Sequence, residues 1–311
     1  MNINDLKLFV STAEYESITK AAALGNTVQS NVSARIKYLE EQLGTKLLHR
    51  TTRRVQATDA GLKFLKIAKE TITAIEDFKA AVYMGDAQPQ GLIKIGCIHS
   101  TAALRAPGIL QRFTAEHPDI DFKLKTATTG DLIKEVLAFK LDGAFVAGEV
   151  DHPDLTFQPI VMEELCLVAS SIYPSLERLQ THAKRLKLVV FSKGCAYREL
   201  LQETLKDAGT KQIKFVEIDT LDGIINTVES GIGLTLLPIE LIKNHYAYRN
   251  LITFPLPNKR FAKCMTVFIR RKDYPMSDSY KCFFESIIKG YGAQSGKENY
   301  NVNMSVNPAI Y

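Results

Sequence analysis

At 311 residues the chain is long enough for two or three domains rather than one core. Its 46% hydrophobic and 23% charged residues are those of a globular protein, which excludes a fibrous or wholly disordered chain. The formal net charge of +5 permits nucleic-acid binding without demanding it, so the placement of the positive charge decides.

The opening residues lack an apolar run of signal-peptide length, and no window approaches the roughly 18 apolar residues of a membrane span. A cytoplasmic protein is expected. The cysteines Cys97, Cys166, Cys195, Cys264 and Cys282 are odd in number, widely spaced and without a C-x-x-C pair, which argues against a disulfide framework and a zinc site. No H-E-x-x-H, Walker-type or G-x-G-x-x-G motif is present, so neither metal nor cofactor is expected.

In chain order, Leu6, Phe9 and Val10 recur at helical spacing over residues 4–13, where Asn4 or Asp5 can cap a first helix. A second helix over 18–24 carries Ala21, Ala22 and Ala23, small enough for close helix crossing, and Gly25-Asn26 breaks it. From Gln29 to Leu43, the apolar residues Val32, Ile36, Leu39 and Leu43 form one stripe of a third helix. Ser30, Ala34 and Lys37 then lie opposite that stripe, where small or basic side chains let a phosphate backbone approach. Gly44 is suited to end this helix in a left-handed conformation. Strand-like residues 46–48 and 55–57 flank a basic tip over 49–54, which describes the wing of a winged helix-turn-helix. A proline-free amphipathic stretch over 59–86, with Leu65, Ala68, Ile72, Ile75 and Val82 on its seam, predicts a long helix that either packs on its own domain or, the favoured reading for a seam of this length, joins a second subunit.

Residues 85–91, GDAQPQG, break the composition and read as a linker. Beyond them short apolar runs alternate with amphipathic helices, which predicts parallel strands with crossover helices. The expected strands are 92–97, 121–126, 143–147, 165–169, 188–191, 214–218, 233–237 and 265–270. The expected helices are 103–116, 131–140, 196–208, 221–230 and 277–289. The last twenty residues, rich in Asn, Ser and Gly, read as a disordered tail.

With these elements laid out, the chain resembles the LysR-type transcriptional regulators as far as about residue 290. The motifs that carry the resemblance are LKLFV with Ala13 and Glu14, SITKAA at Ser17 to Ala22, the Gln29 to Gly44 segment ending YLEEQLG, KLLHR at Lys46 to Arg50, and TDAG at Thr58 to Gly61. The resemblance implies an N-terminal winged helix-turn-helix, a linker helix, and a C-terminal two-lobed α/β domain like the periplasmic binding proteins. The implied limits are 1–58 for the DNA-binding domain, 59–86 for the dimerisation helix, 87–91 for a hinge and 92–290 for the effector domain. Lobe 1 then spans about 92–161 and 266–290, and lobe 2 about 162–265. Two chain crossings join the lobes, near 160–164 and 263–266.

Carried over position by position, the resemblance puts Gln29, Ser30 and Ser33 at the bases of an operator with two-fold symmetry, and Arg53 of the wing at the backbone or minor groove. Gln29 suits a bidentate contact to adenine. Lys37 stands at the phosphates, while Arg50 and Arg54 either touch phosphate or stand solvated. The motif departs from its usual form at Leu24-Gly25, at Ser30 for a frequent proline and at Ala34 for a frequent arginine. These departures bear on base preference, not on DNA binding.

Ligands of open α/β sheets bind beyond the carboxyl ends of the strands. That places a small-molecule effector at Ser100 and Thr101, at Thr128 and Thr129, and at the Lys193 to Arg198 loop with Cys195. Ser100 and Thr129 could equally be helix caps. Cys195 near Arg198 is either a thiol sensor or a small cleft-lining residue. The expected protein is therefore a homo-oligomeric regulator, a dimer or a pair of dimers, and not an enzyme. The alternative is a cleft enzyme or a thiol-based redox sensor using Cys195, but no histidine and carboxylate can be placed beside it by spacing.

Overall fold

The computed structural model describes residues 1–50, 55–84, 89–182, 186–207, 209, 213–256, 258–274 and 276–291. Helix α1 (Ile3–Tyr15) is capped by Asn2 rather than by Asn4 or Asp5. Asn2 accepts from the Asp5 amide, and the Asp5 carboxylate accepts from the Asn2 amide, which closes a capping box. Helices α2 (Ile18–Leu24) and α3 (Gln29–Leu43) cross over the small side chains of Ala21 and Ala22, both buried. Val32, Ile36 and Leu39 are fully buried against Phe9, and Gly44 ends α3 at φ 64° as its type suggests. Leu43, the expected fourth member of the stripe, is instead 43% exposed, because Leu47 and Leu48 of the wing close that end of the core.

The wing pairs β1 (Leu48–Arg50) with β2 (Val55–Ala57) antiparallel. His49 and Arg50 therefore lie in a strand rather than in the expected tip, because each pairs across the ladder with Gln56 and Val55. The wing is held to the reading helix by Glu40, whose carboxylate accepts from the amides of Leu47 and Leu48 at 3.0 and 3.2 Å and from Lys46 at 3.0 Å. Burial alone would raise this carboxyl, but those three hydrogen bonds outweigh it and hold it below 4.5. The TDAG motif locks the other side. Thr58 donates its hydroxyl to the Lys46 carbonyl and its amide to the Leu47 carbonyl, and Gly61 packs directly on that carbonyl.

Helix α4 (Asp59–Met84) divides its seam. Phe64, Leu65 and Ala68 are buried in the core of the N-terminal domain, Phe64 edge-on to Phe9 at 5.0 Å, whereas Phe78 is 68% exposed.

Beyond the linker, β3 (Gly91–Cys97) runs parallel to β4 (Ile120–Thr126) and to β5 (Gly143–Ala147). The expected 103–116 helix is two, α5 (His99–Leu104) and α6 (Ala106–Glu116). The chain turns at Arg105, and Pro107 sits in the first turn of α6, where its missing N–H is not needed. Helix α7 (Thr129–Leu137) starts two residues earlier than expected.

The long strand β6 (Leu155–Ser170) is what the sequence hid most. Only its second half was expected, because Pro159 interrupts the first, and the structure accommodates that proline at a register shift opposite Thr266 and Val267. Along Leu155 to Glu164 it pairs with β11 (Lys263–Arg271), and along Leu165 to Ser170 with β9 (Thr235–Pro238) and β10 (Leu251–Phe254). The first set belongs to lobe 1, where α12 (Asp278–Tyr291) covers Phe268 and Phe145. The second belongs to lobe 2, with the parallel pair β7 (Leu186–Val190) and β8 (Ile213–Glu217) beside it and helices α8 (Leu176–His182), α9 (Ala196–Asp207), α10 (Leu221–Glu229) and α11 (Ile239–His245) around it. Among these, α8, α11 and β10 had no counterpart in the sequence reading.

The wing contacts generate a graded expectation. A methyl group at Gly61 would lie 2.0 Å from the Leu47 carbonyl oxygen, whereas at Gly25 it would meet the movable end of Leu8 at 2.6 Å. Gly61→Ala should therefore lower unfolding free energy by about 2–3 kcal/mol and Gly25→Ala by roughly half that or less, read by urea denaturation. Equal losses would show that the wing does not rest rigidly on α4.

Candidate nucleic-acid interface and interlobe cleft

Helix α3 presents Gln29 and Ser30 to solvent at its first turn, Ser30 on the side away from Val32, Ile36 and Leu39 and Gln29 at the open end of that stripe. Ser33 is half-buried beside them, and Lys37 is exposed, 3.6 Å from Glu41. Arg35 does not join this face. Its guanidinium is drawn back to the buried Asp5 at 2.5 Å and lies over the Tyr38 ring. The departure at Leu24-Gly25 has a packing explanation, since Leu24 is 57% exposed and the missing side chain at Gly25 leaves room for Leu8. Arg53 and Arg54 lie outside the described residues, and Arg50 is described only by its backbone in β1.

Between the lobes lies a small recess, where the N-terminal ends of α5, α7 and α9 converge. Ser100, Thr128, Thr129 and Cys195 all line it, but Thr101 does not; it is buried beneath, its hydroxyl unpartnered. The hydroxyls are already engaged. Ser100 shares a hydrogen bond of 3.2 Å with the Tyr197 hydroxyl, across the lobes. Thr128 is the N-cap of α7, accepting from the Asp131 amide and donating to its carboxylate, while Thr129 exchanges bonds of 3.3 Å with the Ala147 backbone. The capping role thus belongs to Thr128, and neither Ser100 nor Thr129 caps a helix with its side chain.

The lobes touch through glycine. The Gly130 amide donates to the Gly194 carbonyl at 3.0 Å, and a methyl group on Gly130 would stand 3.3 Å from the Gly194 Cα. Gly194 itself sits at φ 87°, a conformation L side chains avoid. The remaining wall is apolar, formed by Ile98, Ala127, Ala147, Phe191, Ala196 and Leu237. His99 stacks on Phe191 at 4.3 Å, and burial lowers its pKa despite the opposing charge of Asp219, which favours the neutral ring. Tyr197 falls within the expected Lys193 to Arg198 loop and His99 stands beside Ser100, whereas Phe191 is a cleft residue that its sequence context does not single out, because an aromatic at a strand end reads as core.

Cys195 is 9% exposed, and burial raises its thiol; the Arg198 and Tyr197 amides and the Arg198 charge oppose that rise without reversing it. The Arg198 guanidinium faces away, to the Phe191 carbonyl at 3.2 Å and Glu217 at 2.9 Å. Cys97, Cys166 and Cys264 are pushed up to about 12 by burial. A thiolate is what attacks or is oxidised, and the burial of Cys195 disfavours that form.

A winged helix-turn-helix with an open reading face, on one chain with a two-lobed α/β cleft, defines a ligand-responsive DNA-binding regulator. Residues 3–62 match the profile of the bacterial regulatory helix-turn-helix proteins of the lysR family, and residues 86–291 match the LysR substrate binding domain. The chain is 36% identical over 299 residues to the uncharacterized HTH-type transcriptional regulator YusT of Bacillus subtilis, covering 96% of this chain and 99% of that one. It is 35% identical over 284 residues to the HTH-type transcriptional regulator GltR of the same species, covering 91% and 95%. Among solved structures, a cysteine-to-aspartate variant of full-length OxyR from Pseudomonas aeruginosa has a TM-score of 0.68 at 19% identity, covering 93% of this chain and 95% of that one. Full-length CbnR complexed with its target DNA has a TM-score of 0.58 at 20% identity, covering 93% and 100%. The chain belongs to the LysR family of transcriptional regulators: it is a DNA-binding transcription regulator with an effector-binding C-terminal domain, and not an enzyme. Among the described residues, no helix is long and apolar enough to cross a membrane.

Thiol accessibility follows from this burial. In the native protein a maleimide should label Cys282, the half-buried cysteine of α12, first, and label Cys97, Cys166, Cys195 and Cys264 only with global unfolding. Peptide mass spectrometry over a time course reads the order. Early labelling of Cys195 would restore the thiol-sensor reading.

Proposed function

We propose that the regulator reads an operator of two-fold symmetry with Gln29, Ser30 and Ser33 of α3, with Lys37 at the phosphates and with Arg50, Arg53 and Arg54 of the wing, and that a small molecule in the interlobe cleft shifts this binding. The carrying observation for DNA is the solvent-facing first turn of α3, where Gln29 and Ser30 are both exposed. In this reading residues 1–58 are the reading unit, 59–86 the pairing helix, 87–91 the hinge and 92–290 the sensor, with 51–54 and 85–88 lying outside the described residues. Pairing of two copies through α4 is supported by Ile67 and Phe78, 55% and 68% exposed on a helix whose Phe64, Leu65 and Ala68 are buried in its own domain. Two reading helices then sit about one DNA turn, roughly 34 Å, apart.

For the effector, the cleft lining favours a compact molecule with an apolar body and one polar end. The polar end faces the hydroxyls of Ser100, Thr128 and Thr129 and the amides at the start of α7, beside Cys195, and the apolar wall takes the rest. Thr101 supports this site from beneath rather than by contact.

Selection of genomic DNA fragments on the purified protein should recover sites with two-fold symmetry. On such a site Gln29→Ala should reduce discrimination at one base pair per half-site by about 1–3 kcal/mol, while Arg53→Ala weakens all sites alike and flattens the salt dependence. Unchanged binding by both variants would reject this assignment of the reading surface. For the cleft, a panel of small metabolites screened by thermal shift should contain compounds that raise the parent's Tm by several degrees and leave Ser100→Val/Thr129→Val unmoved. Equal shifts in both proteins would place the ligand elsewhere.

A further inference from the structure

The short helix that begins at the cleft ends on the DNA-binding domain. Helix α7 has nine residues and spans roughly 13 Å at the usual rise per residue. Its first turn carries Thr129 and Gly130, the latter bonded across the lobes to Gly194. Its buried face, Leu132, Ile133 and Val136, is fixed in the core beneath. At its far end the chain turns through Phe139, which holds a left-handed φ of 58° without being glycine. Phe139 is 2% exposed and packs in the same apolar cluster as Leu6, Phe9 and Leu65 of the N-terminal domain.

Around Phe139 the two domains are clasped by charge. Glu14 of α1 lies between two ammonium groups, Lys69 of α4 at 2.8 Å and Lys94 of β3 at 2.7 Å. Lys69 also donates to the Phe139 carbonyl, and Lys140 pairs with Glu16. The Lys94 amide donates to Asp142 at 2.6 Å, and Tyr274, stacked on Phe139, donates its hydroxyl to the same carboxylate. Burial would raise the Glu14 carboxyl, but the two lysines outweigh it and hold it ionised. These ions are half-buried and paired with one another, so removing one leaves its partners without their counter-charge.

We propose that α7 is the rigid link by which the cleft and the DNA-binding domain sense one another: movement of its first turn at Gly130 is delivered to Phe139 and Lys140, and the Glu14–Lys69–Lys94 clasp passes it to α1 and α4. A packed helix does not shorten, so displacement at one end emerges at the other. The same α1 packs against the reading helix α3, and α4 is the helix that would pair two copies. This proposal rests on the cleft being the effector site, and it gives that site its route to DNA. Coupling of this kind is reciprocal, so it can be driven from either end.

The test uses the full-length protein and no ligand, with amide hydrogen exchange as the readout. Gly130→Ala places a methyl group against Gly194 and stands in for a displaced first turn. It should change exchange at residues 128–133 and also, by roughly fivefold or more, at 138–142 and 12–18. Adding Glu14→Gln and Lys140→Gln should keep the change at 128–133 and abolish it at 12–18. A change confined to 128–133, or one that reaches 12–18 equally without the clasp, overturns the link. Should Gly130→Ala not fold, Glu14→Gln/Lys140→Gln alone should alter exchange at 128–133, and no change there overturns it as well. Because no ligand is added, failure here removes the link and leaves the effector reading standing, whereas failure of the thermal-shift comparison removes the effector reading and leaves the link standing.

Discussion

Every residue of a strand must find hydrogen-bond partners on at least one side, and β6 meets that requirement in two different sheets. Its first ten residues pair with β11 and its last six with β9 and β10. One continuous strand therefore belongs to both lobes, and β11 returns alongside it. Two such strands join the lobes, which meet again through Gly130 and Gly194 and through the Arg105–Glu240 ion pair. A bulky residue at either glycine would hold the lobes apart. The polar contact of Ser100 with Tyr197 closes the same gap from the other side.

The N-terminal domain solves a different problem, which is how to make a small core rigid enough to present a reading helix. Three short helices supply little apolar area by themselves. The first half of α4 adds Phe64, Leu65 and Ala68, and the wing adds Leu47 and Leu48. Glu40 then ties the wing down through the buried amides of Leu47 and Leu48, which would otherwise be unpaired, and Thr58 adds a bond to the Lys46 carbonyl. Gln29, Ser30 and Lys37 of α3 stay exposed because none of them is needed for this core.

The junction between the domains joins these two designs. Apolar packing of Phe139 sets the position, and the Glu14, Lys69 and Lys94 ions set the orientation, since charges in such surroundings tolerate little misalignment. The residues at this junction are distant in sequence and inconspicuous in it. Glu14 looked like one letter of a family motif, Lys69 like a charge on an amphipathic helix, and Phe139 like the end of a helix in lobe 1.

What the sequence determined by itself were the features whose signals are local. Periodicity placed α1 to α4, Gly44 marked the end of α3, and the β-branched runs placed most strands of the sensor domain, because helix and strand periods and glycine conformations are properties of neighbouring residues. The loops after the strands pointed to Ser100, Thr128, Thr129 and Cys195, which line one recess. Tertiary structure alone decided the rest. It exposed Leu43 by filling its place with wing leucines, extended β6 through Pro159 by a register shift, raised the Cys195 thiol by burying it, and assembled the Glu14 clasp. Each of these depends on groups far apart in the chain, whose separation in space is set only when the core closes.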